Sequence, residues 1–406
     1  MSHTFRLRFF ILLILGLLQT LNIDAQETNA NQGSNSGLKA DKLKISGYAQ
    51  IQYRYIQGNE PDSRFMIRRG RIKFTYEFNH VTLVVNPDFT ERKFSLRDTY
   101  IEFREPWLNV FSVSLGVLSL PFGYEVKYSS SNRESPERAF INQTLFPGER
   151  DLGLCLNVKA PEKSAFNGLE LDVAVLNGSA NVTPEFDRNK DFLERLSFNR
   201  NFKNNNINLG LGLSNYHGGY TIGKVKDFIF EENMKRFQYS PDTADYYRIA
   251  KRNYTGADVQ FSVNLGNAGK TTLRAEYCMG GQAGTANNSR SAEEIPAEDI
   301  YHRKFTGAYF YFVQDIGRLP LQLVAKYDWF DQNSVIAGKE IGVVGTNTNK
   351  GDIRYDTYGL GLTIHLNKHA KLTGYYEFVR NESTLLPGYE TDLKDDRMTI
   401  RAQIKF

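Results

Sequence analysis

The chain has 406 residues, with 50 Lys and Arg against 46 Asp and Glu, so its net charge of +4 gives no electrostatic reason to expect a nucleic-acid partner. Two cysteines exclude a disulfide scaffold, and 28 Phe with 23 Tyr against 5 Met suit aromatic girdles on β structure. A mean hydropathy of −0.46 would fit a soluble protein, but strands that are apolar only at alternate positions escape that average.

At the N-terminus, Arg6 and Arg8 precede an apolar run from Phe9 to Leu18, and a polar stretch leads to Ala25-Gln26. These are the three regions of a secretory signal, so residues 1–25 are expected to be removed. A signal anchor is the competing reading, and the run is short for it. Removal takes away Arg6, Arg8 and Asp24 and leaves a net charge of +3 from the original +4. Residues 26–43, polar and low in complexity, read as a flexible periplasmic leader. Residues 44–406 read as one barrel domain.

That domain divides into sixteen amphipathic stretches, taken as strands over 44–56, 64–78, 80–89, 95–105, 109–118, 150–160, 168–177, 192–202, 206–217, 255–266, 270–281, 303–317, 319–331, 351–367, 370–382 and 393–406. Their connections alternate in length. Tight turns at Asn204-Asn205-Asn206, Asn267-Ala268-Gly269, Gly317-Arg318 and Asn367-Lys368-His369 alternate with the long segments 119–149, 218–254, 282–302 and 332–350. The loop 90–94 is short for this pattern. An antiparallel barrel crossing a membrane has one rim of turns and one rim of loops, so the expected fold is an all-β transmembrane barrel of sixteen strands in a Gram-negative outer membrane.

The last strand shows the logic best. Met398, Ile400, Ala402, Ile404 and Phe406 form one face, and Arg397, Thr399, Arg401, Gln403 and Lys405 the other, which suits lipid on one side and water on the other. Phe406 is expected to anchor the strand at the interface. The same parity runs through 321–329 and 357–366, whereas Tyr309-Phe310-Tyr311-Phe312-Val313 is aromatic on both faces, so its inner side is expected to pack on a loop. Cys155 and Cys278 fall on the sixth and eleventh strands, which are not neighbours, so no disulfide is expected.

On the second strand Arg69, Arg71 and Lys73 share a face opposite Phe74, Tyr76 and Phe78, a ladder about 13 Å long at ordinary strand rise. In a pore such a ladder would hand an anion from site to site, and Arg54 on the first strand would join it. The competing reading is a solvated wall whose cations pair with Asp98 and Glu102. Asp258 and Glu276 on adjoining strands are ordinary lumen carboxylates. Ser214 and His217 fall on opposite faces of one strand, so a catalytic pair is not expected. The acidic groups Asp242 with Asp245, and Glu293 through Asp299, match no calcium-loop spacing. No catalytic residue, metal site or cofactor is expected.

Four segments carry a family resemblance: Phe65-Met66-Ile67-Arg68-Arg69-Gly70-Arg71-Ile72-Lys73-Phe74, Leu96-Arg97-Asp98-Thr99-Tyr100-Ile101-Glu102-Phe103, Leu120-Pro121-Phe122-Gly123 and Phe146-Pro147-Gly148-Glu149-Arg150-Asp151-Leu152-Gly153. The mature chain resembles the bacterial porin O and P family, the phosphate-selective porins, in a form like those of Bacteroidetes. The resemblance implies a homotrimer of sixteen-stranded barrels whose third loop, here 119–149, folds inward to narrow the pore. That loop holds Lys127, Arg133 and Arg138, but also Glu125, Glu134, Glu137 and Glu149, a departure from the strongly basic constriction of the phosphate-selective members. Pairing of these charges within the loop competes with a dedicated anion site. The expected function is passive diffusion of small hydrophilic solutes or anions, with outer-membrane lipid and lipopolysaccharide as surroundings. The alternative is a closed barrel serving as a surface adhesin or receptor through its long loops.

Overall fold

The computed structural model describes residues 42–58, 60–90, 94–180, 185–202, 206–240 and 248–406. The signal sequence, almost all of the leader, Asn204-Asn205, Asp242 and Asp245 lie outside them. The strands are β1 (Leu43–Ile56), β2 (Asp62–Phe78), β3 (Val81–Phe89), β4 (Phe94–Arg104), β5 (Phe111–Ser119), β6 (Arg150–Lys159), β7 (Leu169–Leu176), β8 (Asp191–Phe202) and β9 (Ile207–Thr221). A short hairpin follows, β10 (Asp227–Glu231) and β11 (Arg236–Tyr239). The remainder are β12 (Ile249–Asn264), β13 (Lys270–Gly284), β14 (Ile300–Asp315), β15 (Leu321–Asp331), β16 (Arg354–His365), β17 (Ala370–Asn381) and β18 (Arg397–Lys405). One helix, α1 (Phe140–Leu145), lies between β5 and β6.

Each long strand pairs antiparallel with the next, β9 pairs with β12, and β18 returns to β1, so sixteen strands close a barrel. Closure leaves no unpaired sheet edge, as a wall in lipid requires. Along β18, Thr399, Arg401 and Gln403 are buried while Ile400, Ala402 and Ile404 are exposed on the outer surface, the alternation read from the sequence. The two-residue turn after β2 needs a positive φ, and Asn79 supplies it.

The barrel is sealed at its last residue. Phe406 N–H donates to Gly47 O at 2.9 Å, and Gly47 N–H donates to Phe406 O at 3.0 Å. A Cβ on Gly47 would lie 2.7 Å from the Phe406 ring and 2.4 Å from Arg71 O, so only glycine lets the ring settle there. Deleting Phe406, or replacing it with Asp, is expected to lower the yield of folded, heat-modifiable protein in membranes severalfold. A normal yield on gels run with and without boiling would contradict this.

One expectation about the strands is corrected. Segment 218–254 is not all loop: β9 continues to Thr221, β12 starts at Ile249, and the hairpin β10–β11 lies between, with β10 parallel to β14 through Asp227 and Ile300. Apolar alternation fades there, but backbone pairing does not need lipid-facing side chains and runs on beyond the apolar band. β2 is also irregular. Gln50 pairs with Arg69 and Ile51 with Ile67, so Arg68 is an extra residue at a bulge. Both Cys155 and Cys278 are free thiols.

Candidate functional site: the inward loop and its charged wall

The chain between β5 and β6 turns into the barrel at Leu120-Pro121-Phe122-Gly123. Gly123 has φ +58°, its N–H donates to Ser214 Oγ at 3.1 Å, and a Cβ there would lie 2.2 Å from a Glu276 carboxylate oxygen. A larger residue would push the loop off the wall. Phe122 is fully buried and meets Phe146 at 4.9 Å between ring centres, so the loop's entry and exit segments are stapled together. Around them, Val126, Ala139, Ile141 and Leu145 of the loop pack on Leu193, Tyr254, Phe305 and Tyr309 of the wall. The inner face of the doubly aromatic strand is part of this contact, as expected: the Tyr311 hydroxyl lies 2.6 Å from Ser135 Oγ and donates to Glu125 at 2.9 Å.

The loop is bound on all sides. Tyr124 and Glu125 N–H donate to Glu276 on β13 at 2.9 and 3.1 Å, and Phe140 N–H donates to Asp328 on β15 at 2.9 Å. Opposite, Gln50 donates to Ser130 O at 3.0 Å, Gln403 to Ser131 O at 2.9 Å and Arg401 to Pro136 O at 2.7 Å. Arg274 grips Glu134 through both guanidinium ends.

Two carboxylates of the loop organise the cations. Glu149 accepts from Arg97 at 2.6 Å, from Arg150 at 3.1 Å and from Arg138. Arg150 also pairs with Asp98 at 2.9 Å. Glu137 accepts from Arg68 at 2.7 Å, Arg69 at 3.1 Å and Arg401 at 3.1 Å. Burial pushes both carboxyls up, but the surrounding guanidiniums outweigh it. Arg69, Arg68 and Arg401 hold Glu137, and Arg138, Arg97 and Arg150 hold Glu149, well below the usual carboxylate range. The four sequence segments that carry the family resemblance thus converge in space: 65–74 and 96–103 supply guanidiniums from the wall, 120–123 and 146–153 form the loop's stapled ends, and the last adds Arg150.

The expected ladder is only partly one unit. Arg69 is buried between Glu137 and Gln50, and Arg71 lies between Asp88 at 2.8 Å and Ser130 Oγ at 3.2 Å. The Lys73 ammonium has no hydrogen-bond partner among the described residues, although its backbone pairs with Ser46 in the sheet. Arg54 does not join them: it stands across from Arg64 at the loop-bearing rim and pairs with Asp62 at 2.9 Å. The solvated-wall reading had Asp98 and Glu102 as partners, but these pair with Arg150 and Arg104. Lys127 pairs with Asp172, and Arg138 donates to the carbonyls of Glu125, Val126 and Tyr128 besides Glu149. Arg133 makes no such pair among the described residues. Asp258 takes a bidentate Arg195, and His217 is exposed on the outer face while Ser214 is buried inside.

Sequence reading missed Arg68, Arg97, Arg150, Lys371 and Arg401 as partners of the loop. Arg68 had a signal: Phe65 and Ile67 are out of phase with Ile72 and Phe74, so the strand must contain an extra residue. The others differ from neighbouring lumen cations only by what the loop brings to them.

A closed, sixteen-stranded antiparallel barrel with apolar outside, charged inside and one long loop turned inward is the fold of outer-membrane channels. No family model matches the chain, and no curated protein matches it. Among solved structures it is similar to Pseudomonas putida OprB, with 7% identity over 90% of this chain and 95% of that one at a TM-score of 0.58. The outer membrane channel DcaP of Acinetobacter baumannii shares 13% identity over 93% and 100%, with a TM-score of 0.53. Salmonella typhi OmpF shares 12% over 91% and 99%, also at 0.53. At such identities the likeness is one of fold.

Proposed function

We propose that the protein is an outer-membrane porin of the O and P kind, a non-enzymatic homotrimeric channel through which small hydrophilic solutes diffuse down their gradients. The observation that carries this reading is the inward loop, held by its own carboxylates against a lumen wall of guanidiniums. Such an arrangement narrows the lumen from one side, with the apolar contact of Val126, Ile141 and Leu145 sealing the loop to β8, β12 and β14, and a confined lumen filters by size and by field. Anion preference belongs to the same reading. Around Glu137 stand three guanidiniums, with Arg133 and Lys371 close by, so positive charge exceeds negative on the side of β1, β2, β17 and β18.

Purified protein in a planar bilayer should give stable conductance steps, and a salt gradient should give a reversal potential of anionic sign. Absence of steps would favour the second reading, a closed barrel acting as a surface adhesin or receptor. That reading draws support from the loop's bonds to opposite walls of the lumen.

A further inference from the structure

Arg133 lies in the inward loop with 4% of its surface exposed. Its Nε, Nη1 and Nη2 are all buried and find no hydrogen-bond acceptor among the described residues. A guanidinium offers five N–H donors and cannot shed its charge, so a buried one without acceptors is strongly disfavoured. The carboxylates around it are committed elsewhere: Glu134 to Arg274, Glu137 to Arg68, Arg69 and Arg401, Glu149 to Arg97, Arg138 and Arg150. Its electrostatic neighbours include four more cations, Arg69, Arg138, Lys371 and Arg401. Among the described residues the Lys371 ammonium donates only to Arg133 O, at 3.3 Å.

Beside these groups is a cavity of about 10 Å³, lined by Arg133, Lys371, Arg401, Gln50, Thr373 and Gln403, with Ser135, Pro136 and one carboxylate, the Arg274-bound Glu134, completing it. That is room for one particle near the size of a water molecule. Water would accept from at most two of the donors and would leave the excess charge unbalanced, whereas phosphate is too large. We propose that this cavity holds a monoatomic anion, chloride in ordinary media, which bridges Arg133 of the loop to the cations of β17 and β18. The ion is retained, not passed, so the site stands independently of the channel reading.

The test is bromide. Crystals of the wild-type protein soaked in sodium bromide should show an anomalous peak in this cavity within hydrogen-bonding reach of Arg133. Bromide at other surface positions with none here would overturn the proposal. In detergent, the heat-modifiability transition should lie several degrees higher in chloride than in gluconate at equal ionic strength, and Arg133→Gln should abolish that difference. An equal chloride response in both proteins would place the ion elsewhere and also overturn it. If Arg133→Gln does not fold, the bromide experiment on the wild type decides. A bromide peak in a protein that gives no conductance steps would leave this site standing while removing the channel reading, and conductance without the peak would do the reverse.

Discussion

Glu137→Gln is expected to loosen the inward loop, lowering the heat-modifiability temperature and making single-channel current noisier and larger. The substitution keeps the side chain's shape but removes the one negative charge shared by Arg68, Arg69 and Arg401. Leaving the buried Arg69 and Arg401 without their partner is the costly way to break an ion pair, on the order of 3 kcal/mol, toward the low end of the usual range because Glu137 keeps 26% and Arg68 36% of their side-chain area exposed. The same group sets a pH dependence. Its carboxyl titrates well below the ordinary range, so the clamp's stabilisation is fully present above the unfolded value, about 4.3, and is lost as the pH falls from there through the depressed folded value. Wild-type and variant transition temperatures should therefore differ at neutral pH and converge in strong acid. Equal temperatures at neutral pH, with unchanged current noise, would show that the loop is held by its other bonds.

Replacing Arg69, Arg71 and Lys73 together by Gln should move the reversal potential toward cation preference, while the protein still inserts and conducts. The expected shift is on the order of 10 mV in a tenfold salt gradient, against about 59 mV for complete selectivity of a univalent ion. Much of it should come from removing compensation: without Arg71, Asp88 loses its 2.8 Å partner and faces the lumen as a free anion. Lys73→Gln alone should give a smaller shift in the same direction, since that charge has no partner to release. An unchanged potential with conductance intact would make these residues a neutralised wall and turn attention to Lys127, Arg133 and Arg138.

The barrel was legible because its two solvents write themselves into every second residue. Strands β15, β16 and β18 could be drawn to within a few residues, and the aromatic inner face of β14 announced a partner before the loop was located. The loop's contacts were not legible. Nothing in Arg401 or Lys371 separates them from lumen cations that face water, because that distinction depends on which of thirty intervening residues of another segment comes to lie beside them. The β1–β2 bulge lay between these cases. Its signal was present in the phase of Phe65, Ile67, Ile72 and Phe74, but a ladder drawn from alternation assumes an unbroken strand and so leaves Arg68 outside.

Gly47 and Phe406 exchange both of their backbone hydrogen bonds, which puts the two ends of the folded wall side by side at one rim. In a ring of strands no position is first except by covalent accident. A short linker from Phe406 to Leu43, with the chain reopened in the loop between β17 and β18, would keep fifteen of the sixteen hairpin and closure pairings in place and restore the last through space. Such a circularly permuted chain would begin and end at the opposite rim, where the loop-bearing end of the barrel could display a fused peptide without disturbing the inward loop.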